Sequence, residues 1–143
     1  MIQGLSHLTL IVRDLGATTR LLADGLGAEE VYSSGGATFS LSREKFFLLG
    51  GVWLAVMEGD PLPTRTYNHI AFQIREEDLK GCRERLQMLG VELLPSRPRV
   101  EGEGRSLYFY DFDNHLFELH TGTLDERLRR YRQGGPPTTP QGD

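Results

Sequence analysis

Two short stretches of the chain alternate apolar and polar side chains in the same way, and each opens on a histidine. Ser6-His7-Leu8-Thr9-Leu10-Ile11-Val12 is matched by Asn68-His69-Ile70-Ala71-Phe72-Gln73-Ile74. A period of two is the mark of a strand with two unlike faces. A helical pattern follows each strand. The first runs from about Leu15 to Asp24 and closes on Leu26-Gly27; the second runs from about Glu77 to Met88 and closes on Leu89-Gly90. His7 to Gly27 and His69 to Gly90 are separations of 20 and 21 residues. The closing glycines suit the left-handed residue that commonly ends a helix.

The later parts of the two copies also correspond. Phe46-Phe47-Leu48-Leu49 and Val52-Trp53-Leu54-Ala55-Val56-Met57 flank Gly50-Gly51, a hairpin signal. Leu107-Tyr108-Phe109-Tyr110 and His115-Leu116-Phe117-Glu118-Leu119-His120 flank the turn-rich Asp111-Phe112-Asp113-Asn114. Each copy therefore predicts strand, helix and roughly three strands, an α+β fold of two tandem βαβββ modules. Module one is expected over about 1–58 and module two over about 67–123, joined by a linker over about 59–66 that carries Pro61 and Pro63. A charged amphipathic helix over about 124–132 completes a single domain, 1–132. The Gly- and Pro-rich tail, 133–143, is expected to be disordered.

Composition adds exclusions rather than a function. The 143 residues make about one domain, and a net charge of −4 argues against charge-driven nucleic-acid binding. A lone cysteine, Cys82, cannot form an internal disulfide. With no signal-like start and no run near the ~18 apolar residues of a membrane span, the expectation is a cytoplasmic protein without nucleic-acid or membrane partners. Cys82 shares helical spacing with Leu79, Leu86 and Leu89, so it is expected in the core rather than as a nucleophile.

The repeat singles out candidate chemistry. A lone strand histidine is usually structural, but His7 and His69 occupy the same place in two copies, and pseudo-twofold packing can aim both into one cleft. Neutral imidazole is a good ligand for first-row transition metals. Glu118 lies in an otherwise apolar strand, where an unpaired carboxylate is costly unless a metal or a partner takes it. His120, two residues on and on the same face, is the rival ligand. The position equivalent to Glu118 in the first copy falls near Ala55, which cannot coordinate. A two-histidine, one-carboxylate set with open positions suits Mn, Fe, Zn or Ni and favours catalysis.

These residues resemble the vicinal oxygen chelate superfamily and, within it, the fosfomycin-resistance proteins. The resemblance rests on Gly4 to Leu10, Tyr67 to Phe72, and Ser106 to His120 leading into Thr121-Gly122-Thr123-Leu124-Asp125-Glu126-Arg127-Leu128. It implies paired βαβββ modules with His7, His69 and Glu118 as metal ligands and Mn(II) as the preferred ion. It further implies a strand-exchanged homodimer whose metal ligands come from both subunits.

The segment Ser42-Arg43-Glu44-Lys45-Phe46 resembles the epoxide-hydrolase branch, FosX in type, which implies Glu44 as the general base that activates water. By itself Glu44 also reads as a solvated carboxylate between Arg43 and Lys45. Arg127 matches a phosphonate-contacting arginine in a run that otherwise reads as helix surface, and a guanidinium fork suits such oxygens. Thr9, Tyr67, Ser106 and Tyr108 match substrate-contacting positions. Trp53 resembles a pocket-wall residue and equally suits hairpin packing. The potassium-binding loop of the glutathione-using branch has no counterpart in Arg97 to Arg105, so potassium is not expected; Arg97 or Arg99 could replace its missing lysine.

The resemblance thus implies Mn(II)-dependent hydration of the fosfomycin epoxide, a small phosphonate, with water. The alternatives are a glutathione or bacillithiol transferase on the same scaffold, a glyoxalase- or dioxygenase-like enzyme, and a non-catalytic drug-sequestering protein of the same fold.

Overall fold

Each histidine-led stretch forms the first strand of its own four-stranded sheet. In the computed structural model, which describes residues 1–95 and 104–134, the elements follow one another as two copies of a single plan. The first copy comprises β1 (His7–Val12), α1 (Leu15–Arg20, continued by a π-helical turn, Leu21–Gly25), β2 (Glu29–Ser33), β3 (Glu44–Leu49) and β4 (Val52–Glu58). The second comprises β5 (His69–Gln73), α2 (Glu76–Met88), β6 (Glu92–Leu93), β7 (Ser106–Tyr110) and β8 (Leu116–His120); α3 (Leu124–Arg132) follows. Strand order is β1-β4-β3-β2 in one sheet and β5-β8-β7-β6 in the other. The α+β fold of paired βαβββ units is as expected. Arg97 and Arg99, with the rest of residues 96–103, and residues 135–143 of the tail lie outside the described residues.

Local chemistry sets the element ends. Asp14 caps α1, its carboxylate accepting from the Ala17 N–H at 3.0 Å. Gly27 and Gly90 take φ of 77° and 78° just past the two helical segments. Gly50 and Gly51 also take positive φ, 55° and 79°, which lets the two-residue β3–β4 turn match the twist of its strands.

One face of each sheet is buried. Leu10, Val12, Phe47, Leu54 and Val56 from the first sheet join Leu107, Phe109, Phe117 and Leu119 from the second in one apolar cluster. Leu21, Leu22, Leu79 and Leu86 from the helical segments belong to the same cluster. The π-helical turn packs on α2 closely enough that a Cβ on Gly25 would lie 3.1 Å from Leu89 and 3.3 Å from Leu86. Cys82, 3% exposed, sits in this seam and donates its S–H to the Gly25 carbonyl. Burial pushes its thiol above the usual range, partly offset by Arg85, as befits a core residue. Arg13 fastens the halves again, donating its backbone N–H and Nε to the buried Asp113 carboxylate at 3.0 and 3.1 Å. With one face of each sheet committed to the core, the opposite faces are left to carry function.

Candidate functional site

The second sheet brings most of the candidates to one face. Register pairs His69 with Leu116, Ala71 with Glu118 and Gln73 with His120 across β5–β8. Tyr108 lies opposite Glu118, and Ser106 opposite His120, across β7–β8. Because partners in register share a side of the sheet, His69, Glu118, His120, Ser106 and Tyr108 all lie on the face away from the core.

Glu118 is only 6% exposed, and its Oε1 accepts the Tyr108 hydroxyl at 2.7 Å. The Tyr67 hydroxyl stands 3.4 Å from that of Tyr108. Burial, then the hydrogen bonds to Tyr67 and Glu118, push the Tyr108 phenol well above the usual tyrosine range. It therefore stays protonated and acts as the donor to Glu118, which leaves Tyr67 to donate to Tyr108. His69 is held from behind: its Nδ1 lies 2.8 Å from the Tyr67 carbonyl. A carbonyl only accepts, so Nδ1 carries a proton, and in the neutral ring Nε2 keeps its lone pair. A backbone-anchored imidazole beside a buried carboxylate is the pattern of an oriented metal-ligand pair. A groove of about 380 Å3 opens beside His69, lined by residues that include Thr66, Asn68 and Asn114.

The remaining candidates occupy the equivalent face of the first sheet. His7 pairs with Trp53, Thr9 with Ala55 and Ile11 with Met57 across β1–β4. Glu44 and Phe46 on β3 continue the same face opposite Met57 and Ala55. The His7 and Trp53 rings lie 4.3 Å apart, and Phe46 meets Trp53 edge-on at 5.2 Å. Among the described residues Trp53 Nε1 is buried without a hydrogen-bond partner, so this indole packs in the face and also holds an unused donor. Glu44 begins β3 rather than preceding it. Its flanking cations are engaged elsewhere, Arg43 with Glu58 and Lys45 with Glu30. Among the described residues its carboxylate has no ion pair.

The register also makes the repeat quantitative. Glu118 and Ala55 hold the same place, each opposite the residue two past its histidine. Glu44 correspondingly matches Ser106, and Phe46 matches Tyr108. Of the two remaining candidate cations and ligands, Arg127 on α3 reaches His120, its Nη2 lying 3.4 Å from Nε2. His120 Nδ1 meets the Ser106 hydroxyl at 2.7 Å. Both His120 ring nitrogens are thus engaged, which disfavours it as the rival ligand. The helix that presents Arg127 starts at a capping box between Thr123 and Glu126. The fourth histidine, His115, is tied to Asp111 in the β7–β8 turn at 2.7 Å.

Within one chain the metal set is not assembled: among the described residues no three His, Cys, Asp or Glu side chains gather as a cation site. His7, Thr9, Glu44 and Trp53 belong to one face; His69, Glu118, Tyr67, Ser106, Tyr108 and Arg127 belong to the other. The link that sequence reasoning missed is the Ser106–His120–Arg127 chain. Its signal was present in the alternation, since 118 and 120 share a face, but pairing across β7–β8 is not written in one strand.

Residues 4–119 match the model of the Glyoxalase/Bleomycin resistance protein/Dioxygenase superfamily. The chain is 65% identical over 133 residues to the fosfomycin resistance protein FosX of Listeria monocytogenes serovar 1/2a, covering 93% of this chain and all of the relative. It is 34% identical over 140 residues to the metallothiol transferase FosB of Staphylococcus haemolyticus, covering 95% of this chain and 96% of the relative. Its fold superimposes with a TM-score of 0.82 on a variant of Listeria monocytogenes FosX crystallised with Mn(II) and 1S,2S-dihydroxypropylphosphonic acid. That pair is 62% identical, with 92% of this chain and 99% of the other covered. Among the described residues no helix is long and apolar enough to cross a membrane.

Proposed function

The chain belongs to the glyoxalase/bleomycin resistance/dioxygenase superfamily, and from that premise we propose that it is a Mn(II)-dependent epoxide hydrolase that inactivates fosfomycin by hydration. The observation that carries this reading is the pair of matched sheet faces. One holds His69, its Nδ1 anchored on the backbone, and the buried Glu118; the other holds His7 and a Glu44 that has no ion pair among the described residues. The FosX relative crystallised with a dihydroxypropylphosphonic acid, the diol expected when water opens a propyl epoxide phosphonate, supports the same chemistry.

His7, His69 and Glu118 are the proposed ligands, with one histidine from one subunit and the other two ligands from its partner in a homodimer. Two imidazoles and a carboxylate fit Mn(II), and a buried carboxylate with one neutral donor gains most from a cation. When bound there, Mn(II) supplies Lewis acidity toward the epoxide oxygen. Arg127, Ser106 and Thr9 bind the phosphonate and orient it; Tyr108 and Tyr67, whose hydroxyls are chained to Glu118 in the metal-free protein, turn their protons to it once the carboxylate holds the cation, and Trp53 closes one wall. Glu44 takes a proton from water as the water oxygen bonds to the epoxide carbon that carries the phosphonate, and the bond from that carbon to the ring oxygen breaks. The freed oxygen then gains a proton to complete the diol.

Water as nucleophile separates this reading from thiol transfer. Purified protein given Mn(II) and fosfomycin without thiol is expected to form the diol, with oxygen from labelled water in the product. Product that appears only when glutathione or bacillithiol is added would overturn the hydrolase reading. Cytoplasmic location accompanies the proposal, and cell fractionation checks it.

A further inference from the structure

His120 stands between two groups assigned to the phosphonate, and its hydrogen bonds have a defined polarity. An arginine side chain has donors and no acceptor. At 3.4 Å from Arg127 Nη2, His120 Nε2 can only accept, so it carries a lone pair. The proton of the neutral ring then sits on Nδ1, which lies 2.7 Å from Ser106 Oγ and donates to it. Ser106, once it accepts from the ring, has its own hydroxyl proton left to give elsewhere.

We propose that His120 is a positioning residue for the phosphonate end of the site, holding Arg127 in place and turning the Ser106 hydroxyl into a donor toward substrate oxygens. The inference rests on the functional reading of Ser106 and Arg127 above. The sheet frame does not itself require a histidine here. The equivalent place in the first half is Met57, an apolar side chain 7% exposed and opposite Glu44 where His120 is opposite Ser106. The half that faces the anion has a two-sided polar ring where the other half has a thioether. Nor is His120 placed to ligate metal, since both nitrogens are already used.

Two measurements test this. In the full, metal-free chain labelled with 15N-histidine, long-range 1H–15N spectra are expected to show His120 with its proton on Nδ1, assigned by loss of the signal in His120→Asn. A proton on Nε2 would overturn the relay. In the Mn(II)-loaded enzyme, His120→Ala is expected to raise KM for fosfomycin about tenfold while kcat changes by less than about threefold, the loss of one charge-assisted hydrogen-bond network. Mn(II) affinity should not change. His120→Asn, whose amide can donate to Ser106 and accept from Arg127, should recover most of the KM. An unchanged KM in His120→Ala, or a loss of Mn(II) affinity, would contradict the assignment. Absence of hydration by the unmutated protein would instead overturn the functional reading, and the tautomer measurement would still decide the relay.

Discussion

The two halves share one frame and carry different chemistry on it. Both have a histidine opening the parallel strand pair, a helix across the buried face and a hairpin beyond. In the first half the places opposite and beside that histidine hold Trp53, Ala55, Phe46 and Met57, an aromatic and apolar face with one carboxylate, Glu44, at its end. In the second they hold Leu116, Glu118, Tyr108 and His120, a linked polar face. Backbone pairing is indifferent to these outward side chains, so the copies could diverge there without loss of fold. On the proposed reading the difference is a division of labour: one half would supply a base, a single imidazole and Thr9, the other a carboxylate, a second imidazole and the remaining anion contacts.

Removing the feature that the second half has and the first lacks should have the largest effect. Glu118→Ala is expected to lower hydration about a thousandfold or more and to abolish tight Mn(II) binding, read by a metal titration. Glu44→Gln removes the feature peculiar to the first half. Hydration should fall by about a hundredfold to ten-thousandfold while Mn(II) affinity stays within about twofold; a parallel loss of metal would blur the division. Tyr108→Phe makes the second half resemble Phe46 in the first. With Glu118 deprived of its donor, Mn(II) affinity should drop about tenfold to a hundredfold. Thr123→Ala removes the cap of α3 and should cost about 1 kcal/mol, seen in denaturant unfolding, with a smaller rise in KM through Arg127.

The seam between the halves offers a pH test. The Cys82 thiol is raised in the folded protein, so the unfolded chain ionises first. Its contribution is complete below the ordinary thiol range and lost as pH rises toward the folded value. Stability by urea unfolding should fall over that alkaline interval, and less steeply in Cys82→Ala.

Much of this was legible in the chain because period-two alternation and paired turns report directly on strands and hairpins. The histidine pair, the Ala55–Glu118 correspondence and the core position of Cys82 followed from spacing alone. What spacing could not reveal was contact across strands. Tyr108 donating to Glu118, the Tyr67 carbonyl orienting His69 and the His120 link all join residues whose neighbours are set by register. The strand edge also lay earlier than its apolar run implied, since Glu44 pairs in β3 although it is charged. Nor does one strand's pattern say that two functional faces of one chain stay apart, as the lack of a three-ligand cluster among the described residues shows.

That separation makes the shared site the central claim, and subunit complementation tests it most directly. His7→Ala and Glu118→Ala chains are each expected to be inactive when expressed alone, and the test co-expresses them. If ligands come from both subunits, a mixed dimer pairs the intact His7 of one chain with the intact His69 and Glu118 of the other. Random pairing should then restore about a quarter of the unmutated activity, since about half the dimers are mixed and each has one complete site. Activity no greater than that of the separate variants would contradict the shared site.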